Sequence, residues 1–298
     1  MRQMINGGIK VLLLALAVGL LGVGAQTAGA ASSGLTVSPT SFDVELKPGA
    51  SYKGEMLVIN QSELDYSYKV YATPYSVTGE DYQPYFSPIK DAIDITKWFT
   101  LGKTTSDLKV GNQDTIPFTI TVPEGTGAGS YYATIFAETE DKGSMGVVTR
   151  KRVGSIIYLR VSGNAIEKSK IQEWNLPLLQ EAPMKGDLKI ANEGSVHFTS
   201  KVKVTVSDLF GGVKYAHERD PKVIPQKVRN VPVIWENGAT FGLFKVDGEV
   251  TSFGKTEKLP TKIVFIANWP MRLLTLALLL GFVGTVVFLG RKRAGRKK

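Results

Sequence analysis

Ile116-Pro117-Phe118-Thr119-Ile120-Thr121-Val122-Pro123-Glu124-Gly125 sets apolar side chains at every second position and stops at a Pro-Glu-Gly turn. A strand points successive side chains to opposite faces, so this period of two reads as a half-buried strand with one face on a core. The pattern recurs upstream. Phe42, Val44 and Leu46 lead to Lys47-Pro48-Gly49, and Met56 and Val58 lead to Asn60-Gln61-Ser62. Tyr66, Tyr68 and Val70 alternate, as do Tyr131, Ala133, Ile135 and Ala137. A second set follows Val161-Ser162-Gly163-Asn164. Leu188 and Ile190 precede Asn192-Glu193-Gly194, and Val202, Val204 and Val206 precede Phe210-Gly211-Gly212. Val231, Val233 and Trp235 run into Asn237-Gly238, a strong hairpin signal, with Phe241, Leu243 and Lys245 continuing beyond it. A last strand covers 262–267. Only residues 89–98 carry helical spacing, with Ile93 and Lys97 or Asp94 and Trp98 four apart. Short strands broken by regular turn signals point to antiparallel sandwiches. The expected fold is all-β, with two tandem immunoglobulin-like β-sandwiches over 31–163 and 164–268 plus one C-terminal transmembrane helix over 269–290.

The two ends of the chain set the expected topology. Trp269-Pro270-Met271-Arg272 opens an apolar run over 273–289, and six cations close the chain in a basic tail over 291–298. At about 1.5 Å per residue the run and its flank can cross a hydrocarbon core of about 30 Å. Cationic flanks stay on the cytoplasmic side. At the other end Arg2 and Lys10 precede an apolar stretch over 11–23, and Ala28-Gly29-Ala30 offers a small-x-small cleavage site, the layout of a signal peptide over 1–30. Together they predict a single-pass type I protein of the plasma membrane, with its N-terminal region outside. The last strand runs almost directly into Trp269, so the second sandwich is expected to sit on the membrane and the first to face outward.

The net charge of +9 does not point to nucleic acid. Of 36 Lys and Arg, two lie in the leader, one at the membrane edge and six in the tail, which leaves 27 in the exported stretch beside all 27 acidic residues. A neutral ectodomain lacks the basic footprint of nucleic-acid binding. The helix and tail make membrane lipid the expected partner at this end. The absence of cysteine excludes thiol catalysis, disulfides and Cys-ligated metals.

Several segments in order carry a resemblance. Val37-Ser38-Pro39 through Leu46-Lys47-Pro48-Gly49 is followed by Leu57-Val58-Ile59-Asn60, then Thr96-Lys97-Trp98-Phe99-Thr100-Leu101, then Phe118-Thr119-Ile120-Thr121-Val122-Pro123, then Gly129-Ser130-Tyr131-Tyr132-Ala133. Over residues 34–163 this order resembles the N-terminal immunoglobulin-like domain of the WxL-interacting proteins, surface proteins of Gram-positive bacteria. The resemblance implies a non-enzymatic envelope role, with peptidoglycan binding by the first domain and partner or host-surface binding by the second. It carries no residue-level motif.

The chemistry on offer is sparse. His197 and His217 are the only histidines; a metal or general-base role competes with ordinary loop histidines. Glu138-Thr139-Glu140-Asp141 lacks the regular acidic spacing of a calcium loop and reads as a solvated hairpin tip. Arg150-Lys151-Arg152 either grips an anionic polymer or blunts an edge strand against self-association. Asn60-Gln61-Ser62 is a glycosylation sequon at a strand-ending turn. Leu259-Pro260-Thr261-Lys262 has part of a sortase signal without its Thr-Gly. Aromatics are the stronger candidates for ligand contact. Tyr71, Tyr75, Tyr82, Tyr85, Phe86 and Trp98 fall within one segment punctuated by Pro74, Pro84 and Pro88. Aromatic faces stack on sugar rings, and loops on a rigid scaffold commonly carry binding. The expected function is membrane-anchored extracellular binding of cell-wall glycan or a surface protein through the first domain, with no cofactor and no metal. The alternative is an accessory subunit of a membrane-bound secretion, pilus or transport assembly.

Overall fold

The computed structural model describes residues 34–88, 93–142 and 148–295. The expected signal peptide lies outside them, as do the last three residues of the tail. In chain order the first half holds β1 (Leu35–Ser38), β2 (Ser41–Leu46), β3 (Ser51–Asn60), β4 (Tyr66–Pro74), the short hairpin of β5 (Ser76–Thr78) and β6 (Gln83–Tyr85), β7 (Phe99–Leu101), β8 (Thr105–Leu108) and β9 (Gln113–Thr121). It ends in a long hairpin of β10 (Gly129–Lys142) and β11 (Val148–Val161). The second half holds β12 (Ser169–Asn175), β13 (Leu179–Gln180), β14 (Met184–Asn192), β15 (Phe198–Thr199), β16 (Lys201–Asp208), β17 (Val213–Arg219), β18 (Lys222–Val223), β19 (Val228–Trp235), β20 (Phe241–Ser252), β21 (Lys255–Lys258) and β22 (Lys262–Ala267). A helix, α1 (Trp269–Gly295), follows.

These strands form two sandwiches. The first pairs a sheet ordered β1-β3-β9-β7 with one ordered β2-β11-β10-β4-β8; the second pairs β12-β14-β19 with β13-β22-β20-β16-β17. This is an immunoglobulin-like arrangement of two largely antiparallel sheets over a shared core, with one parallel pair in each sandwich. The alternation seen in the sequence is the burial pattern. Met56, Val58, Ile116, Phe118, Ile120, Ile135, Ile157 and Leu159 fill the first core. Leu188, Ile190, Val202, Val204, Val206, Val231 and Val233 fill the second. Burial of each such side chain contributes about 1.5–3 kcal/mol.

Both sandwiches repeat one device. The leading strand belongs to one sheet, and the chain then crosses to lie parallel to the last strand of the other. β1 pairs with β3 and β2 with β11; β12 pairs with β14 and β13 with β22. Both also end the equivalent strand with a buried asparagine. The Asn60 amide donates to the carbonyls of Leu64 and Leu108 and accepts from the Ser62 N–H. That of Asn192 donates to Val196 and Val223 and accepts from the Gly194 N–H. Asn60, 0% exposed, is therefore a structural staple, and its amide is closed to glycosylation.

One turn expectation is corrected. Asn237-Gly238 does not close a hairpin: β19 lies in one sheet and β20 in the other. The connection must cross the sandwich, and Gly238 lets it pass over the Trp235 indole, where an added Cβ would stand 2.4 Å from the ring. The helical spacing of 89–98 yields a single 3-10 turn, Ile95–Trp98, capped by Asp94; residues 89–92 lie outside the described ones. The sortase-like stretch is folded in: Leu259 is buried, and the Pro260 carbonyl accepts from the Trp174 indole N–H at 2.9 Å.

α1 contains a span over Trp269–Val287 long and apolar enough to cross a membrane, and none of it is buried against the sandwiches. It continues to Gly295 rather than ending at 290. Replacing Asn192 by Ala leaves the buried carbonyls of Val196 and Val223 and the Gly194 N–H without their partner; replacing Asn60 does the same to the buried Leu108 carbonyl and the Ser62 N–H, while the exposed Leu64 carbonyl keeps the Ser62 hydroxyl. Each replacement is expected to cost about 2–3 kcal/mol, read as a lower denaturant midpoint of the detergent-solubilised chain. Asn60→Asp, which keeps the acceptor but loses both donors, is expected to recover little of it.

Candidate functional site

The core of the first sandwich takes the odd positions of β10 and β11. The even positions should face water, yet they carry Tyr132, Phe136, Ile156 and Tyr158. An apolar outer face needs a cover, and two covers are present.

Over the far part of the hairpin, Phe136 is flanked by Phe86 at 4.9 Å and Tyr71 at 6.0 Å between ring centroids. The Arg152 guanidinium lies 4.3 Å above it. Gly154 stands opposite Phe136, and a Cβ there would approach the ring to 2.6 Å. The Tyr71 hydroxyl donates to Glu138, which Lys69 reaches at 3.3 Å. The Tyr71 hydrogen bond, aided by Lys69, holds the Glu138 carboxyl below the usual carboxylate range. Glu138 is thus engaged by its own sheet. Among the described residues no group of His, Asp and Glu has the placement to hold a metal ion.

Over the near part the cover is the second sandwich. Tyr132 and Tyr158 are cross-strand neighbours 5.8 Å apart, with Tyr75 at 6.5 and 6.2 Å from them. Ile224 and His197 come down on this cluster from the second sandwich. The β5–β6 hairpin reaches the other way. At its tip Tyr82 adopts φ +60, packs against the second core, and its hydroxyl accepts from the Ile224 N–H at 3.2 Å. Arg229 lies 4.6 Å from its ring, and burial pushes the Tyr82 hydroxyl up to about 12. The Asn230 N–H donates to the Glu80 carbonyl at 2.7 Å, and Lys189 pairs with the Glu80 carboxylate at 2.9 Å.

The six aromatic candidates therefore do not form one outward face. Tyr75 and Tyr82 are spent on the junction. Tyr71 and Phe86 cover Phe136. Trp98 packs on Tyr131 at 5.2 Å beside the first core. Tyr85 alone of the six is exposed, at 40%. The expectation of an open loop at the outer end gives way because the segment supplies apolar cover to an apolar sheet face.

The polar centre of the junction is Ser130, His197, Asp43 and Lys222. The Ser130 hydroxyl accepts from the His197 backbone N–H at 2.9 Å and meets its Nδ1 at 2.7 Å. With Nδ1 accepting the hydroxyl proton, the neutral imidazole carries its own proton on Nε2, which faces the Asp43 carboxylate at 3.7 Å. Lys222 pairs with the same carboxylate and lies 4.1 Å over the Tyr158 ring. Ser, His and Asp here have the composition of a hydrolytic triad, but the carboxylate is shared with Lys222 and stands 3.7 Å from the ring. Burial, with the Lys222 cation adding to it, lowers His197 to about 4, and the Ser130 oxygen is already held by a backbone amide. The group is a clasp. Beside it a cavity of about 320 Å³ opens between Tyr75, Ser130, Tyr132, Ser195, Ile224 and Lys227. The buried Tyr132 hydroxyl has no hydrogen-bond partner among the described residues.

The connection between the sandwiches is also fixed. The Ser195 N–H donates to the Ile166 carbonyl and the Ile166 N–H to the Ser195 hydroxyl, both at 2.9 Å, and the Ser130 N–H donates to the Ser195 carbonyl at 3.1 Å. The residues that sequence reading missed, Tyr132, Ile156, Tyr158 and Phe136, had one visible signal: large apolar side chains on the face out of phase with the core.

The class of protein is thus a pair of joined β-sandwiches carrying one helix suited to a bilayer. No protein family and no curated protein matches the sequence. Among solved structures, the class 5 fimbriae chaperone CfaA is 16% identical, covering 78% of this chain and 99% of its own, with a TM-score of 0.38. The E. coli chaperone DraB is 15% identical, covering 78% and 96%, with a TM-score of 0.38. The PapD-like domain 7 of human CEP192 is 13% identical, covering 43% and 85%, with a TM-score of 0.31.

A histidine whose folded pKa lies below its unfolded value opposes folding when protonated. The clasp is at full strength above the unfolded pKa of about 6.5 and weakens as pH falls toward about 4. The loss amounts to about 3 kcal/mol. Denaturation midpoints at pH 7.5 and 4.5 test this. His197→Gln, which cannot charge, is expected to be weaker than the native chain at pH 7.5 but to lose less between the two pH values.

Proposed function

We propose that this chain is a membrane-anchored accessory subunit that holds a protein partner of a secretion, pilus or transport assembly on its ectodomain. The observation that carries the reading is the outer edge of β11. β2 runs along it only from Ile156 to Val161. The Ile156 N–H donates to the Thr40 carbonyl, so residues of even number turn their N–H and C=O groups to that side. At Arg152 and Gly154 those groups pair with no strand among the described residues. Such an edge accepts an added strand, with main-chain hydrogen bonds supplying affinity.

Two features support this use. The edge is continuous because the β10–β11 hairpin is paired without a register shift from Gly129 and Val161 to Lys142 and Val148. It is also guarded against indiscriminate pairing by Lys151 and Arg152, folded over Tyr66 and Phe136. A wall-polymer role for the first sandwich loses support in proportion, because the aromatic side chains that suggested it cover the protein's own sheet and junction. In this reading the helix moors the chain in the plasma membrane in the type I sense, sandwiches outside, and no catalytic step is assigned. The two-sandwich, one-helix layout also resembles that of the WxL-interacting proteins, and a place among them is compatible with holding a surface partner.

The reading predicts that a partner copurifies with the full-length chain in mild detergent. Arg152→Pro removes the outward N–H from the edge and is expected to reduce copurification about tenfold, the equivalent of about 1.4 kcal/mol. Arg152→Gln keeps the N–H, removes the guanidinium and is expected to retain most of the partner. Equal retention by both variants, or retention of the ectodomain by purified wall sacculi with no protein partner, would overturn it.

A further inference from the structure

The two ends of the second sandwich differ in character. One end, carrying His197, Lys222 and Ile224, is closed by the first sandwich. At the opposite end β22 stops at Ala267, and α1 begins at Trp269 with only Asn268 between. The Arg272 guanidinium donates to the Ala267 carbonyl at 2.8 Å and approaches Glu181 at 3.7 Å. The first turn of the helix is tied to the sandwich in this way, and the rest stands clear of it.

Register shows what else lies at that end. Ala267 pairs with Phe241 and Phe265 with Leu243. Across β20 on the other side, Asp208 pairs with Phe244, three positions short of Phe241. The turn that joins β16 to β17 starts at Leu209. Its tip therefore lies level with Ala267, to within about one residue of strand rise or 3 Å. β16 is two strands from β22, about 10 Å to the side.

This turn is apolar where turns are ordinarily polar. Phe210 is 99% exposed, Val213 63% and Leu209 48%; Phe241 is 46% exposed and Trp269 65%. Nor is Phe210 exposed through looseness. The Asp208 carboxylate accepts from the N–H groups of Phe210 and Gly212 at 2.9 and 2.8 Å and pairs with Lys214 at 2.9 Å. The Asp208 N–H donates to the Gly212 carbonyl at 2.9 Å, and Gly211 supplies the positive φ the turn requires. A rigid turn holding a phenylalanine fully in water gains nothing from folding. It gains if the turn meets an apolar phase. Of the acids near this end, Asp208 and Glu181 are engaged by Lys214 and Arg272, leaving Glu236 on the connection between β19 and β20.

We infer that this end of the second sandwich is a bilayer-contact rim: the β16–β17 turn inserts Phe210 and Leu209 into the headgroup region beside the helix, with Phe241 and Trp269 completing the contact. The occupant is lipid rather than protein because the chain itself enters an apolar helix from this end, which sets the turn at the level where a bilayer surface must lie. The headgroup layer is about 5–8 Å deep on each side, enough to take one aromatic side chain. Two points of contact, helix and turn, would fix the tilt of the sandwich on the membrane. This inference rests on the reading of α1 as a membrane span.

The chain has no cysteine, so single cysteines can be placed for nitroxide labelling without further change. Phe210→Cys and Val213→Cys report on the turn, Val283→Cys on the helix and Lys201→Cys on the far end of β16. The full chain is reconstituted in vesicles of phosphatidylethanolamine and phosphatidylglycerol, and accessibility to dissolved oxygen is compared with accessibility to a water-soluble nickel chelate. The label at 283 is expected to be deep in lipid and that at 201 fully aqueous. Labels at 210 and 213 are expected at headgroup depth, with nickel accessibility several-fold below that at 201. Aqueous values at 210 and 213 beside a deep value at 283 would overturn the rim while leaving the span intact. An aqueous value at 283 would overturn both.

Discussion

The structure depends on covering one sheet face. The β10–β11 hairpin is apolar on both sides; on the side away from its own core Phe136 is covered from within the first half, but Tyr132, Ile156 and Tyr158 would lose the cover of Ile224 and His197 if the first sandwich stood alone. Burial of that face against the second sandwich is what joins the two halves, since aromatic side chains of this size dominate the energetics of a contact. The polar groups around it then fix the geometry. A neutral His197 between Ser130 and Asp43, and the Tyr82 hydroxyl on a backbone amide, specify one docking among the many an apolar patch would tolerate. The β5–β6 hairpin follows from the same need, because it carries Tyr75 and Tyr82 into the seam.

Much of this was legible in the sequence, and the limits have a physical cause. Period-two alternation identified strands such as β9 and β16 because it reflects burial of one face, a local property. The buried asparagines were read only as strand-ending turns. Their second role, reaching the carbonyls of Leu108 and Val223 far along the chain, depends on which strands become neighbours. Asn237-Gly238 misled for a related reason. The dipeptide favours a tight reversal, but whether the next strand pairs with the last or crosses to the other sheet is decided by the sandwich.

The aromatic segment shows the same division. Tyr71 to Trp98 was recognisable as a concentration of contact-forming side chains. What they contact was not recognisable, because a loop rich in tyrosine has the same composition whether it meets a ligand or its own second sandwich. The discriminating signal lay elsewhere, in the even positions of β10 and β11. An amphipathic strand whose polar face is not polar reports a missing layer, and only the fold can say which segment provides it.

Joining the halves also bears on how an edge such as that of β11 can be used. Two sandwiches on a free linker would sample many orientations, and a partner bound across them would have to immobilise both; ordering of that kind is a principal cost of association. Here the linker is hydrogen-bonded to the loop that carries Ser195, and the clasp holds the hairpin against the second sandwich. The direction of the exposed part of β11 is therefore set relative to β22 and to the first turn of α1, where Arg272 ties the helix to Ala267. On the proposed function, a partner strand arriving at Arg152 and Gly154 meets an edge whose ordering cost was met when the chain folded. The same stiffness explains why the junction consumes the most aromatic segment of the chain: a contact meant to hold its angle needs rigid side chains, and tyrosines supply large area with few rotatable bonds.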